Sequence, residues 1–194
     1  MRFLARFWAA NEGVTAMEFA FVAPVLILFI MGVIEASMLM FVQNILESAT
    51  FNASRLGKTG FATTGLTREE TIRNMIDDRA GGLLDPDLIE FDSVAYGGGF
   101  GDVNQPEPFT DSDHNGIRNG AEPYVDSNGN GQWDADMGMA GLGTAGDVVV
   151  YTVRYPWTLI TPIASSFFRD DIRNPEDEPI ITLTARAVVR NEPY

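Results

Sequence analysis

Between Gly101 and Gly146 the chain carries residue types that could hold a hard cation. The run Asp111-Ser112-Asp113-His114-Asn115-Gly116-Ile117-Arg118-Asn119-Gly120-Ala121-Glu122 places side-chain oxygens at positions 1, 3 and 5 of a twelve-residue loop. Gly116 at position 6 permits the sharp turn, the Ile117 carbonyl serves at 7, Asn119 acts through water at 9, and Glu122 at 12 offers two carboxylate oxygens. Calcium takes about six to eight oxygens, and closely spaced Asp and Asn around a glycine turn deliver them from one short segment. The spacing predicts calcium at Asp111, Asp113, Asn115, Ile117 and Glu122, with an extracellular-type affinity of ~0.1–1 mM.

Fifteen residues on, Asp126-Ser127-Asn128-Gly129-Asn130-Gly131-Gln132-Trp133-Asp134 begins the same pattern, but Met137 stands at position 12. Asp126, Asn128, Asn130 and Asp134 are the candidate ligands; Asp134 or Asp136 replaces the missing acid, or Glu122 and Asp126 share one ion, and the spacing leaves these open. Pro106 and Pro108 before the first loop and Pro123 after it argue against flanking EF-hand helices, so the segment resembles helix-poor dockerin-like or thrombospondin-type calcium loops. Eight acids from Asp102 to Asp136 stand against Arg118 alone, so a bound cation is expected to offset their repulsion and order the loop. The plain alternative is an Asp/Asn/Gly-rich loop that is simply solvated.

Two more acids stand where acids are costly. Phe19 to Ile34 carries no charge, Glu35 interrupts, and apolar residues continue to Val42. A helix over Phe19–Val42 reaches ~36 Å, enough for a ~30 Å hydrocarbon core with some tilt. Glu18 and Glu35 therefore fall in or at lipid, where an ionisable group is read as functional until a partner is found, and contacts between subunits are the expected role. Pro24 removes one helical hydrogen bond inside the span and is expected to bend or loosen it. Arg2 and Arg6 precede the span, which suits a cytoplasmic N-terminus. The apolar run is too long, and begins too late after its charges, for an ordinary secretory signal.

Gly13, four residues, Glu18-Phe19 and an apolar helix resemble the processing site of type IV-like prepilins and pseudopilins. More closely, GVTAMEFAFVAPVLILFIMGVIEASMLMFVQNILESATFNASR resembles TadE-like proteins of the tight-adherence (Flp) pilus system. The likeness is dense over Gly13 to Gly60 and resumes at Thr184-Ala185-Arg186 and Asn191-Glu192-Pro193-Tyr194. It implies a minor pseudopilin of a bacterial inner membrane, cut between Gly13 and Val14 by a prepilin peptidase, with its head outside the cytoplasm. Its partners would be other pilins and pseudopilins and the membrane assembly platform. The new Val14 amine would then sit near Glu18, on the same or a neighbouring subunit, and each would neutralise the other. The calcium-loop insertion is a departure from that family. The rival reading is an unprocessed, membrane-tethered, calcium-dependent binding or adhesion protein.

Composition sets the remaining bounds. A net charge of -14 disfavours nucleic acid, whose phosphates need clustered Lys and Arg. Without cysteine, with His114 alone and without a glycine-rich phosphate cradle, the usual catalytic constellations cannot be assembled, so no enzyme is expected. The chain reads as a leader (1–13), a transmembrane helix (14–42), its amphipathic continuation (43–60) and an α+β head (61–194) with an insertion at 101–146. Thr67 and Glu70 form a capping box that opens a helix from Arg68 to Ala80, ended by Gly81-Gly82. Period-two alternation predicts strands near Leu88–Tyr96, from Val149 to a stop at Pro156, and over Ile180–Arg190, with Pro162, Phe167-Phe168 and the acidic tip Glu176-Asp177-Glu178 between the last two. The expected architecture is pilin-like: a long N-terminal helix packed on a small antiparallel sheet with one buried face.

Overall fold

The computed structural model describes residues 12–80, 84–161 and 180–193. Residues 1–11 of the expected leader, the expected Gly81-Gly82 stop with Leu83, residues 162–179 with the acidic tip Glu176-Asp177-Glu178, and Tyr194 lie outside them. The chain forms two compact units, residues 1–42 with 157–181 and residues 43–156 with 182–194. The first helix, α1 (Glu12–Gly57), contributes to both and is continuous through Pro24.

In the first unit, α1 is exposed from Thr15 to Ile34 apart from partial cover at Ala23 and Met31. Those 20 residues span ~30 Å, the thickness of a bilayer's hydrocarbon core. Burial begins at Glu35, which is 4% exposed, and resumes at Val42. This is the one helix among the described residues long and apolar enough to cross a membrane.

In the second unit, the rest of α1 buries Leu46, Ala49, Thr50, Ala53, Ser54 and Gly57, a seam at helical spacing. Thr50 and Ser54 return their hydroxyls to the Leu46 and Phe51 carbonyls at 2.7 and 2.8 Å, so neither is an unpaired buried polar group. The helix α2 (Arg68–Ala80) begins at the predicted capping box: the Glu70 amide donates to Thr67 Oγ1 at 3.1 Å and the Thr67 amide to Glu70 Oε2 at 2.7 Å. Those two Thr67 contacts hold the Glu70 carboxyl below its ordinary value.

The sheet has four strands in the order β2-β1-β3-β4, with β1 at Glu90–Tyr96, β2 at Met139–Ala140, β3 at Val148–Thr158 and β4 at Ile180–Arg190. Strand β1 runs antiparallel to β3 from Glu90↔Arg154 to Tyr96↔Val148, and β2 pairs Val94↔Ala140 and Ala95↔Met139. Strand β4 alternates as expected, with Ile181, Leu183, Ala185, Ala187 and Val189 turned inward and the residues between them exposed.

Three details depart from the sequence reading. Strand β2 is the fourth strand, and two residues are too few for any period to show. Strand β3 runs past Pro156 to Thr158; its ladder with β1 has already ended at Arg154, so the proline falls outside that ladder. Finally, β3 is buried from Val148 through Val153 on both faces, not one. Val149, Tyr151 and Val153 lie on one face with the fully buried helix seam, whereas Val148, Val150 and Tyr96 form a second cluster with Val94, Val103 and Met137. The insertion therefore covers the sheet's second face. At the end of α1, Gly60 takes left-handed backbone at φ 69, and a Cβ on Gly57 would fall on the Tyr151 hydroxyl.

The end of the chain is clamped to this head. Arg68 donates to the Gly57 carbonyl, the Gly143 carbonyl (3.2 Å) and Asn191 Oδ1 (3.0 Å). Asn191 in turn donates to the Leu142 and Thr144 carbonyls at 3.0 and 2.8 Å, and Lys58 pairs with Glu192 at 2.9 Å.

Candidate metal centre

The first loop folds around its own acids. Asp111 accepts the amides of Asn115 (3.2 Å) and Gly116 (2.9 Å), which forces the tight turn, and His114 and Gly116 take left-handed backbone at φ 60 and 77. The Gly116 amide is the main reason the Asp111 carboxyl lies below its ordinary value. Glu122 is buried, and its carboxylate accepts the Ser112 amide at 2.7 Å and the Asn119 amide at 3.0 Å. Asp111, Asp113 and Glu122 bring one oxygen each within 4.8 Å of one another. Asn115 and Asn119 point their amide nitrogens at Asp113 Oδ2, at 2.8 and 3.4 Å; a half-turn of either amide presents its oxygen instead. An all-oxygen set of this kind suits calcium chemistry. The Ile117 side chain is exposed, and His114 is exposed beside it.

The second loop has the same backbone. Asp126 accepts the Asn130 and Gly131 amides at 3.2 and 2.8 Å, and Gly129 and Gly131 are left-handed at φ 75 and 80. Asn128 and Asn130 both donate to Asp134 Oδ2, at 2.8 and 2.6 Å. The acid expected near position 12 comes from elsewhere. Met137 packs against the sheet and Asp136 accepts the Tyr96 hydroxyl at 3.1 Å, while Glu107, fully buried, accepts the amides of Ser127 (2.6 Å) and Asp134 (3.1 Å). Glu107 thus does for the second loop what Glu122 does for the first.

The missed signal was in the sequence. Glu107-Pro108-Phe109-Thr110-Asp111-Ser112 repeats as Glu122-Pro123-Tyr124-Val125-Asp126-Ser127, so each loop is preceded by a glutamate four residues before its first aspartate. A search for ligands downstream of each loop finds Glu122 but not Glu107, because the partner acid is brought in by tertiary pairing.

The membrane-side candidates separate. Gly13 and Val14 lie in the first turn of α1, and Glu18 is exposed on it without a hydrogen bond or ion pair among the described residues. Glu35 is engaged by its own chain: it accepts the Trp157 indole N–H (3.4 Å) and the amides of Ile160 (3.1 Å) and Thr161 (2.9 Å). Residues 13–55, which span the apolar helix and most of its buried seam, match the model of the TadE-like protein family. Over this stretch the chain is similar to that family. The matched segment ends two residues before α1 does, so the head with its paired loops lies outside the match. No curated protein and no solved structure matches the chain.

Proposed function

We propose that this chain is a minor pseudopilin that supports assembly of a tight-adherence pilus, with a structural rather than catalytic role. The observation that carries the reading is the TadE-like match, which starts at Gly13 and runs the length of the exposed apolar helix. On this reading a prepilin peptidase cuts between Gly13 and Val14, the exposed stretch 15–34 sits among lipid and neighbouring pilins of the inner membrane, and the head lies outside the cytoplasm. Glu18, exposed and without a partner of its own among the described residues, is then free to meet the Val14 amine of its own or an adjacent subunit. Calcium stabilises the head through Asp111, Asp113, Asn115, Ile117 and Glu122, and through Asp126, Asn128, Asn130 and Asp134 with Glu107 as the closing acid. The convergence of Asp111, Asp113 and Glu122 supports the first site.

The test is the N-terminal residue of the membrane-fraction protein, by intact mass and peptide sequencing with the peptidase present and absent. A chain beginning at Val14 only with the peptidase is the expected result. A chain beginning at Met1 in both overturns the pseudopilin reading in favour of a membrane-tethered binding protein.

A further inference from the structure

The two loops are related by an approximate two-fold exchange that the repeat makes visible. The Thr110 amide donates to the Pro123 carbonyl at 2.9 Å, and the equivalent Val125 amide donates to the Pro108 carbonyl at 2.8 Å, with Phe109 opposite Tyr124. Glu107 lies in the segment that enters the first loop yet closes the second; Glu122 lies in the segment that enters the second loop yet closes the first. The side chains at position 8 obey the same exchange. Trp133 donates to the Glu107 carbonyl at 2.9 Å and meets the Phe109 ring edge-on at 6.2 Å. Arg118 donates to the Glu122 carbonyl at 3.3 Å and lies 4.6 Å above the Tyr124 ring. Arg118 also lies 5.5 Å from the Trp133 ring, so the two sets touch.

From this we infer that residues 107–134 form one reciprocally closed unit, in which neither loop stays closed when the other opens. The physical reason is that each closing carboxylate is positioned by the strand-like pairing 108–110/123–125, which both loops share. Losing Glu107, the fully buried acceptor of the Ser127 and Asp134 amides, releases that pairing and withdraws the anchor that holds Glu122 over the first loop. The inference requires no ion; calcium enters only through the reading above, where a cation in one loop would preorganise the other.

The experiment is amide hydrogen exchange on the full chain in detergent with chelator present, comparing the parent with Glu107→Ala and Glu122→Ala. The expected result is exchange at least ~10-fold faster at Ser112 and Asn119 as well as at Ser127 and Asp134 in either variant. Unchanged protection across the β1–β3 ladder shows that the head remains folded. Faster exchange confined to Ser127 and Asp134 in Glu107→Ala overturns the inference. If either variant unfolds the head, the conservative Glu107→Gln and Glu122→Gln pair decides by additivity: a double variant no less stable than the weaker single supports one unit, whereas summed losses overturn it.

Discussion

At the residue scale, Glu35 shows why an acid next to an apolar span need not seek a neighbour. Its two oxygens meet the indole of Trp157 and the amides of Ile160 and Thr161, so the carboxyl closes the chain just after β3. Removing an acceptor from a buried donor costs about 1–3 kcal/mol. Of the three donors Trp157 and Thr161 are buried, but the indole contact is long at 3.4 Å and Ile160 is exposed and can turn to water, so Glu35→Ala should cost in that range and not a multiple of it. Hydrogen exchange should quicken at Thr161 above all. Unchanged exchange there would mean that another acceptor holds the amide. Glu35→Gln keeps one oxygen and should fall between the two. Glu18 offers no such arrangement, so the two acids, alike in sequence, differ in surroundings: Glu35 is buried and hydrogen-bonded, Glu18 exposed.

At the element scale, the second half of α1 packs through small residues that let a helix lie close to a strand. Ala49, Ala53 and Gly57 share the buried seam, and Gly57 sits against Tyr151 of β3. Helix propensity alone would make Gly57→Ala stabilising by ~1 kcal/mol. Here the added methyl falls on a fully buried tyrosine, and overpacking of a tight core costs ~1–3 kcal/mol. Packing should win, so Gly57→Ala is expected to lower the melting temperature of the head. A rise would mean that Tyr151 swings clear. The α2 helix needs no such tertiary help at its start, because its cap is written in four consecutive residues.

At the scale of the whole molecule, electrostatics and the loop pair meet. A chain of net charge -14 that concentrates eight acids against one arginine in a single insertion is held together by amides where a cation would do the work more strongly. For a site of ~0.1–1 mM affinity, calcium at ~10 mM should raise stability by about 1.4–2.7 kcal/mol per site. Thermal unfolding of the full chain in calcium and in chelator measures it. Magnesium at equal concentration should do less, because it prefers rigid octahedral, largely hydrated sites. Identical curves in calcium and chelator would remove calcium from the proposed function and leave an amide-held loop.

The sequence by itself determined what depends on near neighbours. The apolar span, the capped α2, the inward side of β4 and the turns at Gly116 and Gly131 follow from period, cap and glycine, all local rules. The TadE-like character of the first helix was legible in the same way. Tertiary structure decided what depends on distant partners. Glu107 completes a loop that begins nineteen residues later, Glu35 caps a segment more than a hundred residues away, and β3 is buried on both faces because the insertion folds back over the sheet. A carboxylate's partner, unlike a helix's period, is fixed by where the chain returns, and that return is set by burial of the whole core.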